Sequence, residues 1–174
     1  METERLILRV AKPGDEEDLF EIRNSEFVLK YNCMKIITKE ELQEQITKDM
    51  ESEDTYCIEL KESSKVIGKV DIDPDTLRYG VKALGLSYYL GEEYSSKGYM
   101  TEALKEMIRY AFEERQAEVL SVRLFKDNGA SGRLAEKLGF VYEGCIRRGV
   151  KGHQDIIYDD MIYSILREEY DSVN

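Results

Sequence analysis

The sequence predicts one α/β domain, residues 1–174, on a mixed central sheet of about seven strands flanked by about four helices. Three observations predict it. Short apolar, β-branched runs alternate with stretches whose apolar residues recur at helical spacing, in the order β-α-α-β-β-β-α-β-α-β-β. A length of 174 residues, with two prolines and no low-complexity tract, suits one buried core rather than pieces joined by a linker. Residues 84–112 read as a strand, a polar turn containing Gly98 and a strongly periodic helix. Such a helix start can hold an anion, because its first N–H groups have no partner within the helix.

Residues 4–10 (Glu-Arg-Leu-Ile-Leu-Arg-Val) read as the first strand. Pro13-Gly14-Asp15 turns into a helix that runs to about Asn24, its first turn acidic as the helix dipole favours. Thr38 opens a second helix: Thr38 and Glu41 have capping-box spacing, and Leu42, Ile46 and Met50 follow on one side. Between the helices, residues 25–37 are irregular and carry Phe27, Tyr31 and Met34, which suit ordinary packing or a loop over a substrate. Residues 56–61 and 66–72 are paired strands; in the second, Val66, Gly68, Val70 and Ile72 alternate with Ile67, Lys69 and Asp71.

Residues 84–90 form the next strand. The helix after Gly98 puts Met100, Ala103, Leu104, Met107, Ile108, Ala111 and Phe112 on one face, opposite Thr101, Glu102, Lys105, Glu106, Arg109, Glu113 and Glu114. Strand 119–125 places Leu120, Val122 and Leu124 on one face. Helix 128–137 is closed by Gly139. Residues 140–146 and 156–164 are the last two strands, linked by a loop holding Gly149, Gly152 and His153.

A net charge of −11 argues against direct binding of nucleic acid, whose backbone needs clustered Lys and Arg. It suits a cationic partner such as an amine or a basic peptide, and serves solubility equally well. No apolar run approaches the ~20 residues that cross a bilayer. Met1-Glu2-Thr3-Glu4-Arg5 lacks the basic and apolar regions of a signal peptide. No membrane association and a cytoplasmic location are therefore expected. Cys33, Cys57 and Cys145 are odd in number and widely spaced, which predicts reduced thiols. Cys145, on a strand without an adjacent base, reads as a buried structural thiol.

The segment Ser95-Ser96-Lys97-Gly98-Tyr99-Met100-Thr101 is not a Walker motif, since its lysine precedes the glycine, and the chain holds no Gly-x-Gly-x-x-Gly. Continued through Glu102-Ala103, it resembles the acetyl-CoA pyrophosphate loop of the GNAT superfamily of N-acetyltransferases. Residues 128–140 (Asn-Gly-Ala-Ser-Gly-Arg-Leu-Ala-Glu-Lys-Leu-Gly-Phe) resemble that superfamily's second motif. The opening 3–9 and the segment 151–155 resemble its ribosomal-protein N-terminal branch, the RimJ/RimL type. The likeness runs in the right order over almost the whole chain.

The resemblance implies acetyl-CoA as cosubstrate and direct transfer of acetyl to an amine, without a covalent enzyme intermediate. Backbone N–H groups from Ser96 to Thr101, in the loop begun by Ser95, would surround the pyrophosphate. Main-chain groups of Tyr88, Tyr89 and Leu90 would pair with pantetheine where the family's sheet splays, and Asn128 would hydrogen-bond the same arm. The chain departs from the family at three positions. Ser95 stands where Gln or Arg is usual, Met100 where Gly or Ala is usual, and Ala135 where many relatives carry a tyrosine acid. Ser131 is the nearest substitute for that acid by family analogy, or a hydrogen bond within the first helical turn. Asp155 is a candidate for holding or deprotonating the amine, or for fixing the final loop.

The acceptor stays open: a protein or peptide N-terminal α-amine, that of a basic protein included, or a polyamine or small amine such as an antibiotic. A CoA-binding module without catalysis is the reading from another class. An α-amine loses its proton at neutral pH for about 1–1.4 kcal/mol, against about 4.6 for a lysine amine, so it needs little help from a base. No metal is expected. Asp71-Ile72-Asp73-Pro74-Asp75 starts like a calcium loop, but Thr76 and Lys82 replace the required Gly and Glu. Monomer and homodimer are both compatible with the sequence.

Overall fold

Seven strands form one sheet, in the order β1-β2-β3-β4-β5-β7-β6, in a computed structural model that describes residues 1–173. They are β1 (Leu6–Arg9), β2 (Thr55–Leu60), β3 (Val66–Pro74), β4 (Ala83–Leu90), β5 (Val119–Phe125), β6 (Val141–Lys151) and β7 (Ile157–Leu166). Neighbours are antiparallel except β4 and β5. A parallel pair needs a long crossover. The helix numbered α4 (Tyr99–Arg109) supplies it, running on through a π-helical turn at Tyr110–Glu114.

The apolar stripe of α4 and that turn explains the main core. Ala103, Met107, Ala111 and Phe112 are wholly buried and join Leu84, Leu86, Leu120 and Val122 of β4 and β5 in one cluster. A second cluster covers the other face: Leu19 of α1 (Asp15–Asn24) and Leu42 and Ile46 of α3 (Lys39–Asp49) meet Cys57 and Val66. In the middle of the sheet, β5 buries Val119, Ser121 and Phe125 as well as the three residues of its expected apolar face.

The capping box at α3 forms as its spacing predicts. Thr38 Oγ1 accepts from the Glu41 N–H at 3.2 Å, and the Glu41 carboxylate accepts from the Thr38 N–H at 2.8 Å. Thr38→Ala is expected to cost about 1 kcal/mol of stability, read as a lower urea midpoint at unchanged slope.

Two short helices were not anticipated by the periodicity. In the stretch expected to be irregular, Ser25 Oγ accepts from the Val28 N–H and caps α2 (Glu26–Leu29). At the other end lies α6 (Arg167–Val173), whose sequence is too short and polar for a helical stripe. Tertiary contacts fix it: the Tyr170 ring stacks on Phe112 at 4.7 Å, and Arg167 Nε donates to the Ala117 carbonyl at 3.0 Å. A further correction concerns Cys145, which is exposed. It lies on β6, the edge strand, whose side chains are almost all exposed; Cys57 is the buried thiol.

Candidate active site

The parallel ladder between β4 and β5 runs from Ala83↔Val119 to Leu86↔Val122 and stops. Beyond it, β4 continues to Leu90 paired only with β3, and β5 continues to Phe125 paired only with β7. The two strands part, and the β4 edge from Ser87 to Leu90 faces the gap without a strand partner. Such an edge can pair with an extended ligand. Gly68 keeps the outer end of β4 against β3: a Cβ there would lie 2.2 Å from the Tyr89 carbonyl oxygen.

A cavity of about 330 Å³ fills the gap. Four of the residues singled out from sequence line it: Tyr88, Tyr89, Asn128 and Ser131. Asn128 is the N-cap of α5 (Gly129–Lys137), its Oδ1 accepting from the Ser131 N–H at 3.2 Å. One side of its amide is thus committed to its own helix, and Nδ2 has no acceptor among the described residues. Burial raises the pKa of the Tyr88 phenol, while a hydrogen bond with the Ser131 hydroxyl acts in the opposite direction. The cavity therefore holds two hydroxyls from different elements side by side. Ala135, where relatives carry tyrosine, is 2% exposed and belongs to the main core.

The loop after β4 lies outside this cavity, at the start of α4. Leu90 and a 3₁₀ turn (Glu92–Tyr94) connect the two. Gly98 is the N-cap of α4 with φ +83°, a left-handed backbone that favours glycine, and Ser96 also has a positive φ of 59°. Such backbone presents successive N–H groups as a concave anion site. Lys97 is exposed, with its ammonium 5.9 Å from the Tyr94 ring. Met100 and Tyr99 pack against the main core, so the Met100 side chain turns inward. Ser95 and Thr101 are half-buried.

Arg5 fastens this loop to β1. Its Nη1 donates to the Lys97 carbonyl at 3.1 Å, its Nε to the Glu102 carboxylate at 2.7 Å, and its guanidinium lies 4.5 Å from the Tyr99 ring. Burial pushes the Glu102 carboxyl up, but hydrogen bonds from Thr3 and from the Arg5 backbone and side chain outweigh it and leave it below its ordinary range. Glu102 is thus an anion in the first turn of α4, with Arg5 beside it as counter-charge. In the sequence Arg5 carries no chemical signal beyond its place in the opening motif.

Asp155 sits apart from the cavity, on an exposed turn with φ 61°. Its carboxylate pairs with Lys151 Nζ at 2.7 Å, and that neighbour holds it below the usual carboxylate range. The turn braces the segment that walls the cavity: the His153 N–H donates to the Asn32 carbonyl at 3.1 Å, and Tyr158 OH to the Lys30 carbonyl at 3.3 Å.

The cavity also holds residues that lie outside the family motifs. Asp160 of β7 is 2% exposed and accepts from Arg123 Nε at 2.7 Å and from Nη2. Asp71 of β3 stands opposite Ser87 of β4, and Tyr31 to Met34 close one side. Cys33 lines the cavity, but burial and the Asp160 charge raise its thiol pKa; burial pushes Cys57 up to about 12. Neither is poised as a thiolate. Among the described residues no three His, Cys, Asp or Glu side chains come together in a way that would hold a metal ion. No helix of the described chain is long and apolar enough to cross a membrane.

Comparison with known proteins places this geometry. Residues 5–141 match the family described as acetyltransferase (GNAT) domain. YdaF of Bacillus subtilis (strain 168), a provisionally named ribosomal N-acetyltransferase, is 34% identical over 89 residues, which take in 49% of this chain and 46% of YdaF. Among solved structures, the ribosomal-protein-S5-alanine acetyltransferase of Vibrio fischeri superposes with a TM-score of 0.84 at 21% identity, over 98% of this chain and 97% of that one. The microcin C7 self-immunity acetyltransferase MccE, solved with acetyl-CoA and AMP, superposes with a TM-score of 0.80 at 20% identity, over 94% and 93%. At these identities the structural matches speak for the fold.

Proposed function

The chain belongs to the GNAT acetyltransferase family, and on that premise we propose that it transfers acetyl from acetyl-CoA to a protein or peptide N-terminal α-amine. The observation that carries the cosubstrate is the parting of β4 and β5 after Leu86↔Val122. It leaves main-chain donors and acceptors along a channel that leads, through Leu90, to the start of α4. The fold-mate MccE was solved with acetyl-CoA bound, which supports the same ligand here.

In this proposal the backbone N–H groups from Ser96 to Thr101 bind the pyrophosphate. Gly98 supplies the left-handed turn that aims them, and Arg5 holds the loop in place. Lys97 adds an exposed cation beside it. The main chain of Tyr88, Tyr89 and Leu90 pairs with pantetheine as an added strand, and Asn128 Nδ2 donates to the same arm. The thioester end then lies in the cavity, where the Ser131 and Tyr88 hydroxyls give the departing sulfur its proton. Asp155, tied to Lys151 outside the cavity, fixes the turn that supports residues 30–32.

The acceptor assignment draws on YdaF and the Vibrio fischeri protein, both named for ribosomal acetylation, and on the acidic balance of the chain. An α-amine, with a pKa of about 7.7–8.0, needs the least deprotonation work. Calorimetry with acetyl-CoA and CoA tests the cosubstrate; the absence of binding at high micromolar concentration would refute it. Thiol release, measured with an alanine-terminated basic peptide, spermidine and an N-blocked lysine amide, tests the acceptor. Turnover of the peptide is expected. Turnover of spermidine alone would reassign the acceptor to polyamines, and binding without turnover on any amine would make the chain a CoA-binding module.

A further inference from the structure

We propose that Asp71 is the catalytic base of this site: its carboxylate holds the acceptor ammonium in the cavity and takes its proton. The assignment rests on acetyl transfer occurring in the β4–β5 gap. Two carboxylates line that cavity, Asp71 and Asp160. Asp160 is spent, since Arg123 binds it with two nitrogens. Asp71 has no ion pair among the described residues. Its partners are hydroxyls that flank it across the sheet, Thr55 on β2 and, at 3.5 Å, Ser87 on β4. The Lys69 cation, two residues away on the same strand, is bound to Asp49 of α3 at 2.6 Å. Asp71 is therefore the uncompensated anion of the cavity, placed opposite the β4 residue at which the edge first opens.

Its surroundings favour a base rather than a spectator. Burial raises its carboxyl pKa, Asp49 pushes the same way, and Lys69, Thr55 and Ser87 oppose without cancelling the shift. Asp73, next along the strand face, is raised by its own burial and by Asp71 and Asp54. Tyr89, from β4, is held neutral by burial and by Asp71. Across the cavity stand the Arg123–Asp160 pair and the Cys33 thiol, itself raised by burial. A carboxylate raised toward neutral pH is better matched to an amine proton.

The step balances. The ammonium R–NH₃⁺ gives one proton to the Asp71 carboxylate. The freed lone pair forms the C–N bond to the thioester carbonyl carbon, and the C–S bond breaks with its electron pair on sulfur. The second nitrogen proton replaces the one delivered to sulfur by the Ser131 and Tyr88 hydroxyls, and Asp71 returns its proton to water. The products are the acetamide, CoA thiol and one released proton.

The test is Asp71→Asn in the full chain, with acetyl-CoA affinity by calorimetry and kcat/KM on an alanine-terminated basic peptide from about pH 6 to 10. Affinity for acetyl-CoA is expected to stay within about 3-fold of wild type. The kcat/KM is expected to fall about 10-fold at neutral pH, because only about a tenth of an α-amine of pKa about 8 is neutral there without a base. The deficit should shrink as the pH passes the amine pKa, where the acceptor is already neutral. The variant should also fold. Asp71 has a folded-state pKa above its unfolded value, so the stability its neutral form contributes at low pH is lost as the pH rises through the folded value. Asp71→Asn should therefore melt higher than wild type at neutral pH, and that gain should vanish in acid. Unchanged kcat/KM, or a deficit equal at all pH values, overturns the role of Asp71 while leaving acetyl transfer intact. If wild type binds no acetyl-CoA or acetylates no amine, the proposed function falls and Asp71 with it.

Discussion

Gly98→Val is expected to weaken acetyl-CoA binding at least ~100-fold. At φ +83° a β-branched side chain is strained, by roughly 1–3 kcal/mol for a sparsely allowed backbone, so the turn would relax and its N–H groups would lose their aim. The new Cβ would also meet Arg5 Nη2 at 3.3 Å, and Arg5 is what ties the Lys97 carbonyl and Glu102 to β1. Loss of two donors at about 1.4 kcal/mol each gives the expected factor. Gly98→Asn should fall between Gly and Val, because asparagine tolerates the left-handed region. Gly98 is exposed, so the melting temperature should drop by only a few degrees. An unchanged Kd for Gly98→Val would refute the loop assignment.

The second large effect is expected at the hydroxyl pair. Tyr88→Phe and Ser131→Ala should each lower kcat about 100-fold, the range of a lost general acid, with acetyl-CoA Kd within about 3-fold of wild type. The double variant should be little worse than either single one if the two hydroxyls, which line the same cavity, serve one proton delivery. Stopped-flow measurement of thiol release gives kcat, and calorimetry gives Kd. Multiplicative losses would mean that the two groups act separately. Full activity of both variants would remove them from the chemistry.

Local signals account for what the sequence disclosed. Thr38 and Glu41 close a capping box because both halves of it lie within one turn. The strand read at 119–125 is found with the same bounds, since a central strand buries nearly every residue and its apolar residues are interrupted only at Ser121 and Arg123. Gly98 and Asn128 were visible because a left-handed turn and an N-cap restrict residue type at one position.

What the sequence hid depends on contacts far apart in the chain. The six-residue run Glu-Glu-Tyr-Asp-Ser-Val after Arg167 carries no helical stripe; the Phe112 ring and the Ala117 carbonyl organise it. Cys145 lies on a strand like Cys57, but no pattern tells an edge strand from a central one, and the edge leaves it exposed. Met100 looked out of place in a phosphate loop, and packing against the core turns it away. In the sequence Asp71 is a polar residue of an alternating strand and the first residue of a run that fails as a calcium loop. Only the pairing of β3 with β4 sets it opposite Ser87, and only the departure of β5 opens the space in front of it. The reverse holds for Asp155, whose motif is plain in sequence and whose side chain lies outside the cavity.

A crystal structure of the chain with acetyl-CoA tests the central claim most directly. The expected result is pantetheine lying in the β4–β5 gap, hydrogen-bonded to the main chain of Tyr88 to Leu90, with the pyrophosphate on the N–H groups from Ser96 to Thr101 and the acetyl group in the cavity beside Ser131 and Asp71. Acetyl-CoA bound elsewhere, with the β4 edge left free, would contradict it.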